Sequence, residues 1–125
     1  MTAGRWIVDG MNVIGSRPTG WWRDRPGAMR DLVEELDAFA GRGGDEVTVV
    51  FDGRAFDLDS PSVGVRFASR RGPNAADDDI VELVEGDAEP AKLSVVTSDS
   101  DLARRVRERG ATVMGAGEFR RRLDG

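Results

Sequence analysis

The amino-acid sequence predicts an α/β fold: one three-layer α/β/α domain over residues 1–125, with a mainly parallel sheet of about five strands. Two observations lead there. Short runs rich in Val and Ile alternate along the chain with longer segments of helical period, the alternation that βαβ units produce. No long linker, repeat or low-complexity tract interrupts them, and the length of 125 residues fits one domain.

Residues 5–9 (Arg-Trp-Ile-Val-Asp) open the series as a short buried strand. The loop Ser16–Pro26 follows, interleaving Arg17, Arg23 and Arg25 with Trp21 and Trp22. A helix is expected over 27–40: Pro26 suits a helix start, and Met29, Leu32, Val33, Leu36 and Phe39 form an apolar stripe. Gly41-Arg-Gly-Gly ends it. Residues 47–52 read as a second buried strand, and 63–68, which alternate weakly, as a third. Arg70 and Arg71 come next, on the same rim as the first loop if the strands run parallel. A helix over 74–84 puts Ile80, Leu83 and Val84 on one face. Residues 93–97 and 111–114 supply the last strands, with helices near 100–109 and 117–123.

Composition narrows the chemistry. The absence of Cys excludes disulfides, thiolate nucleophiles and the usual zinc frameworks. The absence of His removes the commonest general base and every Ser-His or Cys-His pair. Carboxylates, hydroxyls, Arg, the single Lys92 or a bound cofactor remain. Carboxylates favour hard cations, so Mg²⁺ or Mn²⁺ is the expected metal. No apolar run approaches the ~20 residues that span a bilayer, and Met1-Thr-Ala-Gly-Arg carries no signal-peptide core. A cytoplasmic protein without a membrane partner is expected. The net charge of −5 argues at first against nucleic acid. Two divalent ions would nearly cancel it, and the cations are almost all Arg, whose planar fork suits phosphate.

The chemistry-bearing pattern is a set of aspartates. Asp9 closes the first strand, Asp52 the second, and Asp99 and Asp101 follow the fourth, while the Asp77-Asp78-Asp79 run opens a helix. Singly, each has a structural explanation: Asp-Gly turns at 9–10 and 52–53, a helix macrodipole at Asp77, a cap in Ser98-Asp-Ser-Asp101. Jointly they argue for a shared site, since loops after the carboxyl ends of parallel strands form the ligand crevice. Acids gathered there repel one another, and a divalent cation offsets that. Other phosphate chemistries lack their residues. Gly10-Met-Asn-Val-Ile-Gly15 has the wrong spacing for a dinucleotide loop, no Walker A loop exists, and Met11 stands where an aspartyl-phosphate phosphatase wants a second acid.

Five segments together, Ile7-Val-Asp-Gly-Met-Asn-Val-Ile-Gly, Val50-Phe-Asp-Gly, Ala76-Asp-Asp, Val96-Thr-Ser-Asp-Ser-Asp-Leu and the closing Gly110-Ala…Glu118-Phe, give the chain a family likeness. From about residue 5 to 123 it resembles the NYN domain of the PIN-like nuclease superfamily, in particular its YacP-like branch. The resemblance implies a metal-dependent ribonuclease. It implies Asp9, Asp77 and Asp99 as core acids that hold Mg²⁺ or Mn²⁺, Asp101 as a fourth, and Asn12 as the amide of the opening motif. Asp52 matches a frequent Phe-Asp segment. The branch often has Thr-Ala-Asp where this chain has Ala75-Ala76-Asp77, and an aromatic or basic residue where it has Asp79. Asp78 therefore stays a candidate beside Asp77, although helical spacing sets Asp77 with Ile80 and Val84 on the inward face.

The expected activity is endoribonucleolytic hydrolysis of a phosphodiester. With no His, the expected nucleophile is a water whose pKa the cation lowers. Arg17, Arg23, Arg25, Arg70 and Arg71 would hold the RNA backbone, and Trp22 would stack on a base. Two other functions fit the same residues: a noncatalytic RNA- or ribosome-binding module, and a phosphohydrolase of small nucleotides.

Overall fold

The computed structural model describes residues 4–72 and 74–125. Met1 to Ala3, which belong to the segment expected to lack a signal-peptide core, lie outside the described residues. One sheet contains β1 (Arg5–Asp9), β2 (Glu46–Phe51), β3 (Val63–Phe67), β4 (Leu93–Val96) and β5 (Thr112–Met114). Their spatial order is β3-β2-β1-β4-β5, and every pairing is parallel. The helices are α1 (Gly10–Ile14), α2 (Arg25–Gly43), α3 (Ala75–Glu85), α4 (Ser100–Glu108) and α5 (Ala116–Asp124).

Strand side chains alternate between faces, and here both faces are apolar. Trp6, Val8, Val47, Val49 and Phe51 enter one core with residues of α1, α2 and α5. Ile7, Val50 and Val95 enter the other with α3 and α4. This explains why the strands read as continuous apolar runs. It also aims Asp9, two residues beyond Ile7, at the face that α3 and α4 cover.

α2 starts where Asp24 accepts a hydrogen bond from the Gly27 amide at 3.1 Å, with Pro26 in the first turn. Its end falls at the last of the expected glycines: Gly44 has φ 67°, a left-handed conformation that suits glycine. Three elements had no expectation: α1 and the 3₁₀ turns at Trp21–Arg23 and Pro90–Lys92. α1 folds because Val13 and Ile14 bury against the core while Gly10 lets the backbone approach β2. A Cβ on Gly10 would stand 2.5 Å from the Phe51 ring.

β1 is central. The chain winds from it to β2 and β3 on one side, then crosses to β4 and β5 on the other. The topological switch point therefore lies between β1 and β4, at their carboxyl ends, where a doubly wound sheet opens a crevice. Asp9 ends one of these strands, and Thr97-Ser98-Asp99 follows the other.

Candidate active site

Asp9 is 5% exposed and holds one hydrogen bond to another side chain: the Thr97 hydroxyl donates to its Oδ2 at 2.9 Å. Burial pushes its carboxyl up to about 7, the Thr97 hydroxyl and the backbone N–H of Asn12 pull it down, and Asp77 and Asp52 push it further up. The same Thr97 hydroxyl accepts from the Asp99 amide at 3.1 Å. One buried hydroxyl thus joins the end of β1 to the loop after β4. Asn12 adds a second tie, its Oδ1 accepting from the Ser98 amide at 2.7 Å. Ser98 Oγ in turn accepts from the Ala116 amide at the start of α5, at 2.8 Å.

The three consecutive aspartates of α3 have three different surroundings. Asp77 is 6% exposed and faces inward with Ile80 and Val84. Burial raises its carboxyl to about 6, Asp99 and Asp52 add to the rise, and Arg105 opposes it. Asp78 bridges two cations, Arg70 at 2.5 Å and Arg105 at 3.0 Å. Asp79 accepts from the Ser69 amide and hydroxyl at 2.6 and 2.8 Å, which fastens the segment after β3. Asp77 is thus the one of the three that has no cation or donor of its own among the described residues.

Asp52 and Asp99 each do structural work. Asp52 Oδ1 accepts from the Ala76 amide at 2.7 Å, so the end of β2 caps α3. Asp99 Oδ1 caps α4, accepting from the Asp101 and Leu102 amides at 2.9 and 3.0 Å. Asp101 is exposed and pairs with Arg104 at 2.7 Å. The charge of Asp52 acts on both Asp9 and Asp77, and that of Asp99 on Asp77, so these acids lie near one another at the carboxyl edge of the sheet.

A hard divalent cation fits this donor set. Two buried carboxylates are held above their usual range with no positive partner in contact, and a cation would restore their charged forms. Among the described residues no three acids already stand as a metal cage. Mg²⁺ does not require one: it commonly takes one or two carboxylates and completes its shell with waters and substrate phosphate.

Beside the acids is a pocket of about 470 Å³ whose lining includes Met11, Trp21, Arg25, Asp52, Arg54 and Arg71. Trp21 packs on the core, whereas Trp22 is 56% exposed. Arg25 lies over Trp21 and Arg23 over Trp22, at 5.8 and 6.0 Å from the ring centres. Arg17 pairs with Asp124 and lines a different cleft with Glu35 and Arg120. Thr97 and Arg54 had no role assigned from sequence. Thr97 stood in plain view within the Thr-Ser-Asp segment; Arg54 had no signal beyond its charge.

The parallel sheet with acids at its switch point describes a doubly wound α/β domain, and comparison with known proteins narrows the class. The family profile of the YacP-like NYN domain matches residues 6–125, so the chain belongs to that family. No curated protein matches it. The fold is similar to the crystal structure of Rae1 (YacP) from Bacillus subtilis, with a TM-score of 0.81 at 24% identity over 99% of this chain and 74% of that one. A single-substitution variant of the same Bacillus subtilis protein gives 0.82 at 25% identity, over 97% and 75%. No helix among the described residues is long and apolar enough to cross a membrane.

Proposed function

We propose that this chain is a cytoplasmic Mg²⁺- or Mn²⁺-dependent endoribonuclease. The observation that carries the proposal is the pair Asp9 and Asp77: buried, raised to about 7 and about 6, and without a cation in contact, beside the switch point. Bound there, the ion would lower the pKa of an attacking water and take up charge developing on the phosphate. Asp9 and Asp77 would hold it, with the second carboxylate oxygen of Asp99 within the same acidic group. Thr97 orients Asp9 through its hydroxyl. Asn12 spends its carbonyl on Ser98, which leaves its NH₂ group to donate to a phosphate oxygen. Arg23, Arg25, Arg70 and Arg71 supply cations for the flanking backbone, and the exposed Trp22 a surface for a base.

The test uses single-stranded and structured RNA, each in linear and circular form, with Mg²⁺, Mn²⁺ or EDTA. Products should form only with metal, circles should open, and Asp9→Asn and Asp77→Asn should abolish both. Undiminished cleavage by Asp9→Asn, or in EDTA, would sink the proposal. RNA retention without products would instead favour a noncatalytic binding module.

A further inference from the structure

Resting on the nuclease assignment above, we infer that the pocket beside Asp52 seats one nucleotide of a single-stranded substrate, its phosphate on Arg25, Arg54 and Arg71 and its base against Trp21 and Met11. The volume of about 470 Å³ lies within the range of small-ligand sites, about 300–1,000 Å³. It suits one nucleotide and is too small for a duplex.

The charge pattern selects the ligand. Four arginines near the sheet edge have found carboxylates: Arg17 with Asp124, Arg70 and Arg105 with Asp78, Arg104 with Asp101. Arg25, Arg54 and Arg71 form no ion pair among the described residues, yet all three line one cavity. The single acid in that lining, Asp52, is turned to the Ala76 amide. Three guanidiniums against one engaged carboxylate favour an anion, and their planar forks match phosphate.

The remaining wall is apolar. Trp21 is fixed by core packing and by an edge-on contact with Trp22 at 5.9 Å. Arg25 is set between this ring and the turn after β2: a Cβ on Gly53, at φ 99°, would lie 3.6 Å from Arg25 Nη2. Asp52 belongs both to the pocket and to the acidic group, so a nucleotide seated here places its neighbouring phosphodiester toward Asp9 and Asp77. The pocket thereby sets which bond of the strand is presented.

The test measures anisotropy of a short labelled single-stranded RNA in EDTA, with AMP and inorganic phosphate as competitors. Arg54→Gln and Arg71→Gln should each weaken RNA binding by about tenfold, the loss of one charge-assisted hydrogen bond. Arg42→Gln, exposed in the last turn of α2 at the opposite sheet edge, should not. AMP should displace the RNA at lower concentration than phosphate, with melting temperatures unchanged. Affinities of both pocket variants within twofold of wild type would overturn the inference, as would phosphate competing as well as AMP. Tight binding that depends on Arg54, with no metal-dependent cleavage, would overturn the nuclease assignment and leave the pocket standing. Cleavage with unaltered KM in both pocket variants would do the reverse.

Discussion

The Thr97 hydroxyl donates to Asp9 and accepts from the Asp99 amide, so the carboxyl it steadies is fixed in place yet still short of positive charge. This has a consequence for the metal-free protein. The folded Asp9 value of about 7 exceeds an unfolded value of about 3.9. The folded state therefore holds the proton more tightly, and the associated stability is present in full below about pH 4 and lost as pH rises through about 7. In EDTA, Asp9→Asn should overtake wild type in denaturant stability across that window, by on the order of a few kcal/mol at neutral pH. A constant difference from pH 4 to 7 would show that Asp9 is not perturbed. Asp77, at about 6, adds a similar loss that ends at lower pH. The sequence marks both acids, and helical spacing favours Asp77 over Asp78 without separating them fully. Burial does, with a cation bridge on one and none on the other.

Among the elements, the segment between β1 and α2 divides labour between adjacent tryptophans. Trp21 packs on the core and Trp22 is more than half exposed. Trp21→Ala should lower the melting temperature. Trp22→Ala should leave melting alone and weaken RNA binding by about 1–3 kcal/mol if its ring stacks on a base. Melting that falls equally in both would assign both rings to the core. α1 depends on close approach at one point. Gly10→Ala drives a Cβ to 2.5 Å from the Phe51 ring and should destabilise by about 1–3 kcal/mol in urea unfolding, without altering the slope. The long helices and strands were legible because their apolar periods span many residues. α1 was not: five residues show no period, and its stability comes from contacts with β2 and α2 that no local pattern encodes.

For the whole molecule, Asp9, Asp77 and Asp99 sit at the ends of elements that meet at the carboxyl edge of the sheet, so a cation bound among them would link β1, α3 and the loop after β4. Binding only to the folded arrangement raises stability by mass action, about 2.7 kcal/mol at 100 times the Kd. Millimolar Mn²⁺ should therefore raise the melting temperature of wild type, and not that of Asp9→Asn/Asp77→Asn. An equal rise in both would mean a general ion effect.

The sequence by itself determined the strand–helix alternation, the parallel sheet and the placing of aspartates at strand ends, because period and burial are written in consecutive residues. Only the tertiary structure decided what each acid does. Asp52 caps a helix that begins 23 residues later, Asp99 caps its own, Asp79 fastens the end of β3, and Asp9 and Asp77 are left without a cation. The reason is physical: a carboxylate's role follows from its donors and its burial, and for Asp9, Asp52 and Asp77 these come from segments distant in the chain, whereas Asp99 finds its donors within the next turn.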